Sequence, residues 1–387
     1  MQGRGFCRAL GGVAIVLAAC AAAADDVVFS EAEVRAILSH GPWPAPATQD
    51  SSNRASGNRA AIELGERLFF DPRLSAAGKF ACVTCHVPER NWTDNRRLGA
   101  ATTEVNRNVP TLMNVRLGRW FGWAGGADSL WSQSIRPILD ARELASTPRH
   151  VAELVRNDDQ LACRYRRSFG SAPSPTNDEA VLVDVGKALA AFQETFESPA
   201  TPFDRFRDAL ARGEPIRPET YSEPARRGLR IFLGKGNCTT CHSGPNFTSG
   251  EFHDNGFSSY AAQGQVDRGR SEGLKEVQAS RFNLLGIYND DPSKAAAERV
   301  KAGAQGGRGA EAFKVPTLRH LMLTAPYGHH GNIETIADVV RHYSERGSNQ
   351  LKPLKLSASE QTDLVVFLES LSTLNNPWRP DDMGQCR

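Results

Sequence analysis

Residues 82–86 read CVTCH and residues 238–242 read CTTCH, so this chain of 387 residues carries the motif Cys-x-x-Cys-His twice. In this motif two thiols bond to the vinyl groups of one haem, and the imidazole that follows ligates its iron. A chance match, a zinc knuckle or a redox dithiol that happens to be followed by histidine is the alternative. At these residue frequencies, two copies of the motif are far less probable by chance than one. The sequence therefore predicts two covalently bound haem c groups, attached at Cys82, Cys85, Cys238 and Cys241 and ligated by His86 and His242.

The N-terminal residues have the pattern of an export signal. Arg4 and Arg8 precede an apolar stretch at 9–23, which ends in small residues suited to cleavage. Haem c is attached outside the cytoplasm, so we expect residues 1–24 to be a signal peptide and the mature protein to be periplasmic. Cys20 ends the run LAAC, which also suits a lipid anchor, and that alternative stays open.

Charge and composition give no support for nucleic-acid binding or for a membrane-spanning helix. The chain has 46 basic and 44 acidic residues and a net charge of +2, which gives no support for nucleic-acid binding. Beyond the export signal, no stretch approaches the roughly 20 apolar residues of a membrane-spanning helix, so no transmembrane span is expected. Cys163 and Cys386 lie outside both motifs and could pair in an oxidising compartment, but the sequence does not give their distance.

A weak internal repeat surrounds the two motifs. LGERLFF at 64–70 precedes the first motif and RGLRIFL at 227–233 precedes the second, while NWT at 91–93 and NFT at 246–248 follow them. Each half therefore looks like one cytochrome c-like unit. Apolar residues recur at helical spacing and alternating strand patterns are scarce. We predict a mainly α fold of two cytochrome c-like haem domains packed together, with little β structure.

The expected domain bounds follow from the repeat and from Pro-containing stretches such as 213–223. Segments 43–57 and 293–311 are rich in Pro, Ala, Gly, Ser or Lys and are predicted to be loops. We expect an N-terminal extension at 25–57, a first haem domain at 58–217, a second haem domain at 218–375 and a C-terminal tail at 376–387.

The sixth position on each iron separates an electron carrier, which fills both, from a peroxidase, which leaves one open. Methionine and histidine are the usual ligands at this position. Methionine is scarce, since beyond the export signal only Met113, Met322 and Met383 remain. The histidines outside the motifs stay open as candidates at this point, namely His40, His150, His253, His320, His329, His330 and His342.

The run FKVPTLR at 313–319, followed by TAPY at 324–327 and by His329, resembles the bacterial dihaem cytochrome c peroxidase and MauG superfamily. The similarity covers most of the mature chain. It implies a first haem that reacts with peroxide and a six-coordinate second haem. The ligand of that second haem lies fourteen residues beyond the histidine matching His329, and it is methionine in the peroxidases and tyrosine in MauG. Tyr343 holds this position here, so the resemblance implies a phenolate ligand, with His342 as its rival.

Four further residues fall at functional positions of the superfamily. Trp123 matches a tryptophan that bridges the haems for electrons, although a core aromatic would look the same in the sequence. Glu143 matches a carboxyl that moves a proton between the oxygens of bound peroxide, and burial beside the haem would raise its pKa. Gln133 would orient the peroxide and Pro137 would keep the pocket narrow. Without the shared spacing, Glu143 would be read as a solvated surface residue.

Asn108, in the run RNVPTL, resembles a calcium ligand of the superfamily that lies between the haems. Backbone carbonyls at the positions of Thr324 and Pro326 join it there, and oxygen donors with bound waters suit Ca²⁺. An asparagine before a proline-containing turn is an equally good explanation of Asn108. The resemblance thus implies a calcium site, with turn formation as the alternative.

Two runs, RFNLLGIYNDDP at 281–292 and GPNFT at 244–248, resemble most closely the MbnH branch of the superfamily, encoded with copper-chelating methanobactin peptides. That branch converts a tryptophan of a secreted copper-binding protein to kynurenine. The resemblance implies that hydrogen peroxide generates a high-valent, bis-ferryl-like state that oxidises such a partner. Gly236 stands where MauG has a surface tryptophan, so MauG's route for the hole and its own substrate are not expected.

Two other functions remain as alternatives. A dihaem cytochrome c peroxidase would reduce hydrogen peroxide with electrons from a small cytochrome or cupredoxin, and a tyrosine at position 343 argues against it. A non-enzymatic electron-transfer cytochrome would need both irons filled, which an open first haem excludes.

Overall fold

The computed structural model describes residues 27–46, 48–215, 217, 219–258, 264–303, 311–348, 351–373 and 384–386. The expected signal peptide, with Cys20, lies outside these residues. In the described ranges no helix has the length and apolarity to cross a membrane. The α-helices there are α1 Glu31–Leu38, α2 Arg59–Phe69, α3 Leu130–Leu139, α4 Pro148–Asn157, α5 Asp159–Phe169, α6 Asp178–Gln193, α7 Pro202–Ala211, α8 Glu223–Leu233, α9 Gly269–Ala279, α10 Glu298–Gly303, α11 Ile336–Glu345 and α12 Ala358–Glu369.

The mainly helical prediction is confirmed. Among the described residues the strands are two short antiparallel ones, β1 Phe252–His253 and β2 Phe313–Lys314. One loop prediction was wrong, because α10 lies within the segment 293–311. Three alanines at 295–297 lead into this helix, and alanine is the best helix former.

Side-chain caps fix where several helices begin. Ser357 and Glu360 form a reciprocal capping box at the start of α12. Asn58 accepts hydrogen bonds from the first backbone amides of α2, and Ser222 does so at the start of α8, where Pro224 needs no amide partner. These caps satisfy amides that a helix leaves unpaired, and they set the register of the two helices in the repeat.

The sequence repeat is a repeated helix crossing. In the first half α2 meets α6 at Gly65, where an added Cβ would lie 2.0 Å from the carbonyl oxygen of Ala188. In the second half α8 meets α12 at Gly228, where the same atom would lie 2.0 Å from the carbonyl oxygen of Asp363. No side chain fits at either crossing, so glycine at this place in both runs is a packing requirement.

Each crossing lies in its own hydrophobic core. The first core gathers apolar side chains of α2 to α6 around Trp92, and the second gathers those of α8, α11 and α12 around Phe247. Helix α7 precedes the predicted boundary at residue 217, yet its residues Phe203 and Phe206 belong to the second core. Helix α1 of the N-terminal extension also packs there through Ile37.

A disulfide between Cys163 and Cys386 attaches the C-terminal tail to α5. Next to it, Arg164 donates a hydrogen bond to the carbonyl oxygen of Gly384, and the amide of Cys386 donates to the side chain of Gln160. The tail follows the second half in sequence, so these contacts return the chain to the first half.

Candidate functional site

The first motif forms a tight turn at Cys82–Thr84, followed directly by Cys85 and His86. The Nδ1 atom of His86 lies 2.8 Å from the carbonyl oxygen of Trp92. This contact places a proton on Nδ1 and leaves Nε2 as the free ligand atom. Burial lowers the pKa of His86 to about 4, so the imidazole is neutral, which is the form that ligates iron.

The second motif repeats this arrangement at Cys238–Thr240. The Nδ1 atom of His242 lies 3.0 Å from the carbonyl oxygen of Phe247, and burial lowers the pKa of His242 to about 4. Trp92 and Phe247 both have a positive φ, 59° and 49°, which turns each carbonyl towards its histidine. All four motif cysteines are free of disulfide bonds.

Different stacking partners hold the two aromatic residues. Phe196 stacks on Trp92 with ring centroids 3.8 Å apart. His40 stacks on Phe247 at 4.3 Å, and its Nδ1 lies 3.0 Å from the carbonyl oxygen of Gly244. His40, one of the candidate iron ligands, therefore supports the residue that orients His242. No sequence pattern indicates this contact, because His40 lies about 200 residues from Phe247.

A cavity of about 560 Å³ adjoins the second motif. It is bounded by residues from both halves, and its lining includes Cys238, Cys241, His242, Tyr343, Asn108 and Trp123. Two free thiols, a neutral imidazole and a large apolar-walled space are the requirements of a haem c group, so the residues present fit one.

Tyr343 lies on α11 and faces this cavity. Burial raises its pKa above the ordinary value, and its hydroxyl has no hydrogen-bond partner in the described part of the chain. His342, its rival, lies outside the lining, with Nε2 3.2 Å from the carbonyl oxygen of Asn255 and its ring against Phe257. The geometry thus favours Tyr343, whose role as iron ligand stays a prediction.

The other candidate ligands differ in whether they reach this cavity. Met113 packs in the first core and also borders the cavity, Met322 is partly exposed, and Met383 lies outside the described residues. His329 stacks on Phe313 with ring centroids 3.5 Å apart. His253, on β1, also lines the cavity.

Three predicted residues of the first haem pocket lie on α3 and the turn after it. Gln133 and Pro137 are four residues apart on α3, so they share one face of the helix. The side-chain oxygen of Gln133 is buried without a hydrogen-bond partner in the described residues. An unpaired buried acceptor is costly, so this one is suited to a ligand that donates.

Glu143 is half-buried beside the first motif. Burial, with a smaller contribution from Asp140, raises the pKa of Glu143 to about 7. Burial also raises the pKa of the Cys82 thiol to about 12, and the charge of the Glu143 carboxylate adds to that shift. Glu143 therefore lies near a haem-attachment cysteine. A carboxyl that titrates near neutral pH can both accept and return a proton.

Trp123 lies between the two halves. Its indole nitrogen donates to the carbonyl oxygen of Asn108 at 2.9 Å, and its own carbonyl oxygen accepts from the amide of Lys314 at 2.8 Å. The ring lies 6.4 Å from that of His329 and borders the cavity. This position suits an electron bridge, and the role stays a prediction.

The three expected calcium ligands, Asn108, Thr324 and Pro326, line one cavity. The side-chain N–H of Asn108 donates a hydrogen bond to the carbonyl oxygen of Arg96, and its side-chain oxygen could face a cation. In the described residues no cluster of three or more His, Cys, Asp or Glu side chains could hold a metal. The expected donors are neutral oxygens, which would suit Ca²⁺ together with waters, and the calcium site stays a prediction.

Sequence reasoning missed an ion network behind His329. Asp267 accepts from Arg107 at 2.7 and 2.8 Å and lies 3.2 Å from Nε2 of His330. The Asp267 pKa falls well below its usual range because hydrogen bonds from Arg107 and His330 outweigh the cost of burial. The partners are 160 and 63 residues from Asp267 in sequence, so no local pattern could have shown them.

Comparisons with known proteins agree with these features. A family model of di-haem cytochrome c peroxidase matches residues 59–211. The methylamine utilization protein MauG of Methylorubrum extorquens is 32% identical over 369 residues, covering 93% of this chain and 91% of that protein. Cytochrome-c peroxidase IdrP1 of Denitromonas iodatirespirans is 30% identical over 383 residues, covering 96% and 93%.

Among solved structures, a MauG-like protein associated with microbial copper homeostasis superposes with a TM-score of 0.63. The alignment covers 87% of this chain and 98% of that one, at 24% sequence identity. At this identity the likeness concerns the fold.

Proposed function

This chain belongs to the di-haem cytochrome c peroxidase and MauG family, and we propose that it uses hydrogen peroxide in the periplasm to oxidise a tryptophan of a partner protein to kynurenine. Membership makes it a haem peroxidase-type oxidoreductase with haem c cofactors. The observation that carries the finer proposal is Tyr343 in the cavity of the second motif, where MauG also has a tyrosine.

The two haems would supply the cleavage of peroxide and the storage of its oxidising power. The chain's own residues would control where this happens. Tyr343 would close the second iron with an anionic oxygen, which stabilises oxidised iron and keeps peroxide away. Peroxide would then react at the first haem, held by His86, since the predicted pocket residues of α3 lie in that half.

At the first haem, Glu143 would take the proton from the peroxide oxygen nearer the iron. It would then deliver that proton to the other oxygen, which leaves as water. Its raised pKa suits both steps, because the carboxyl is protonated and ionised in similar amounts near neutral pH. Gln133 would accept a hydrogen bond from peroxide with its unpaired oxygen, and Pro137 would limit the room beside it. Trp123 would pass electrons between the halves.

The substrate chemistry is balanced by peroxide alone. Opening an indole to N-formylkynurenine adds two oxygen atoms, so two molecules of hydrogen peroxide are reduced and two of water are released. Hydrolysis then removes the formyl group as formate and leaves kynurenine. We propose a secreted copper-binding protein as the partner, a choice supported by the copper association of a structurally similar MauG-like protein.

We also propose a calcium ion held by Asn108 and the carbonyl oxygens of Thr324 and Pro326, next to Trp123. A cation there would stiffen the segment that carries the bridge. Removal of calcium with a chelator should then slow electron exchange between the haems without releasing either one.

A second candidate function is the reduction of peroxide with electrons from a small cytochrome or cupredoxin. It is favoured by relatives such as IdrP1, a cytochrome-c peroxidase about as similar to this chain as MauG is. Such an enzyme needs a docking site for the donor and turns over without consuming protein side chains.

One experiment separates the two functions. The holoenzyme is given hydrogen peroxide together with the secreted and periplasmic protein fraction of its source, and peptides are searched for kynurenine by mass spectrometry. We expect kynurenine at one tryptophan of one copper-binding protein, and none with Tyr343→Phe. Fast peroxide turnover with a reduced cytochrome or cupredoxin, and no kynurenine, would support the peroxidase instead.

A further inference from the structure

Lys314 connects the two halves at two points. It lies on β2, and its backbone amide donates to the carbonyl oxygen of Trp123 at 2.8 Å. Its side-chain ammonium donates to the carbonyl oxygen of Trp120 at 3.2 Å. Both acceptors belong to the loop of the first half that carries the predicted bridge. The lysine also lines the cavity, as do Cys241 and His242 of the second motif.

The charge of this ammonium is not compensated by an acidic side chain. The residue is half-buried, and withdrawal of its ammonium from water lowers its pKa to about 8; no ion pair of Lys314 occurs among the described residues. Two cations with fully buried side chains differ. Arg319, which lines the same cavity, pairs with Asp204 at 2.7 and 2.8 Å, and Lys187 pairs with Asp290 at 2.5 Å.

A buried cation is expensive unless an anion accompanies it. Each haem c brings two propionate carboxylates into its site, and these anions need partners in turn. The second haem would fill the cavity that Lys314 borders. A propionate of that haem would then supply the anion that the Lys314 ammonium lacks. Arg119, another cation in the lining, is exposed, so water hydrates its charge and it needs no anionic partner.

We propose that Lys314 binds a propionate of the second haem and so anchors that haem at the boundary between the halves. The inference needs only the haem c that family membership implies, so it does not depend on which substrate the enzyme oxidises. A positive charge beside the haem favours reduced iron, opposing a phenolate ligand, which favours oxidised iron. The same lysine holds the Trp123 loop, so one residue fixes both the haem carboxylate and the route between the haems.

The test compares three variants of the holoprotein. Lys314→Met removes the charge and keeps the length of the side chain, Lys314→Arg keeps the charge, and Lys275→Met removes an exposed charge as the matched control. The readouts are the midpoint potential of the second haem by spectroelectrochemistry and the propionate bending band by resonance Raman spectroscopy. Neither readout depends on turnover.

We expect Lys314→Met to lower the potential and shift the propionate band, while Lys275→Met leaves both as in the native protein. Lys314→Arg should shift the band but keep the potential close to the native value. If Lys314→Met alters neither quantity and only lowers the melting temperature, the lysine is a tie between backbone segments and the proposal is wrong. If Lys314→Met does not accumulate, an unshifted propionate band in Lys314→Arg overturns the proposal in its place.

Discussion

The two halves of this chain hold their motif histidines alike but differ in what they present beyond the histidine. In both, an Asn-aromatic-Thr segment turns a carbonyl oxygen onto Nδ1, at 2.8 Å for His86 and 3.0 Å for His242. In both, a glycine lets two helices cross. The repeat thus preserves the groups that orient the motif histidines and the close helix crossing beside them.

The remainder of each site has diverged. The first half contributes an unpaired Gln133 oxygen and a Glu143 carboxyl whose pKa is about 7, which are groups for handling a small protic substrate. The second half contributes Tyr343, a group that can fill a coordination position. Under the proposed function, the repeated framework would carry one site that reacts with peroxide and one that stores oxidising power.

Alanine substitution of the glycines at the two helix crossings should have the largest effect on the framework that the halves share. Gly65→Ala and Gly228→Ala each place a methyl group 2.0 Å from a carbonyl oxygen, so the backbones must separate. We expect each variant to lose more than about 3 kcal/mol of stability, the upper end of overpacking costs, and to yield little folded holoprotein. Chemical denaturation of any folded fraction measures the loss.

Gly78→Ala is the matched control, since a Cβ there meets no neighbouring atom. Its only cost is that alanine is less favourable than glycine at a left-handed φ of 65°. Its cost should be about 1 kcal/mol. Equal behaviour of all three variants would mean that the two crossings are not the shared support of the halves.

Glu143→Gln should affect the reactive half alone. Loss of the proton shuttle should slow the reaction with peroxide by about 10²- to 10⁴-fold, followed by stopped-flow absorbance. The carboxylate must be ionised to accept the first proton, so the native rate should rise with pH through about 7 and level off above it. Glu153→Gln, at an exposed position of α4, should leave the profile unchanged. A pH limb near 7 that survives in Glu143→Gln would assign the proton transfer to another group.

The smallest expected effect separates the supports of the two aromatic residues. His40→Leu removes the ring stacked on Phe247 and should cost about 1 kcal/mol, and Phe196→Leu should cost as much by releasing Trp92. Each variant should broaden the spectrum of the haem in its own half and leave the other unchanged. A change in both haem spectra from either variant would show that the halves are not supported independently.

Features that depend on local patterns could be predicted from the sequence. The two motifs, the glycines of the repeat and the capping box of Ser357 with Glu360 all involve residues close together in the chain. The helical fold follows from the same spacings. Gln133 and Pro137 share one face of α3 and Glu143 follows that helix, while their roles in a haem pocket stay predictions.

Contacts between distant segments could not be predicted in this way. The apolar face of α7 does not specify which core it joins, and Phe203 packs in the second one. His40 looks like any isolated histidine until its stacking on Phe247 is seen, and Lys314 looks like a surface lysine until its contact with the Trp120 carbonyl oxygen is known. In each case the partner lies far along the chain, where periodicity carries no information.

The central claim is that one haem site is open and that Tyr343 closes the other. Low-temperature electron paramagnetic resonance of the oxidised holoprotein tests it most directly, before and after one equivalent of hydrogen peroxide, in native protein and Tyr343→Phe. We predict one high-spin and one low-spin ferric signal, both lost on adding peroxide to native protein, with loss of the paired response in Tyr343→Phe. Two low-spin signals that ignore peroxide would contradict the account and indicate an electron carrier.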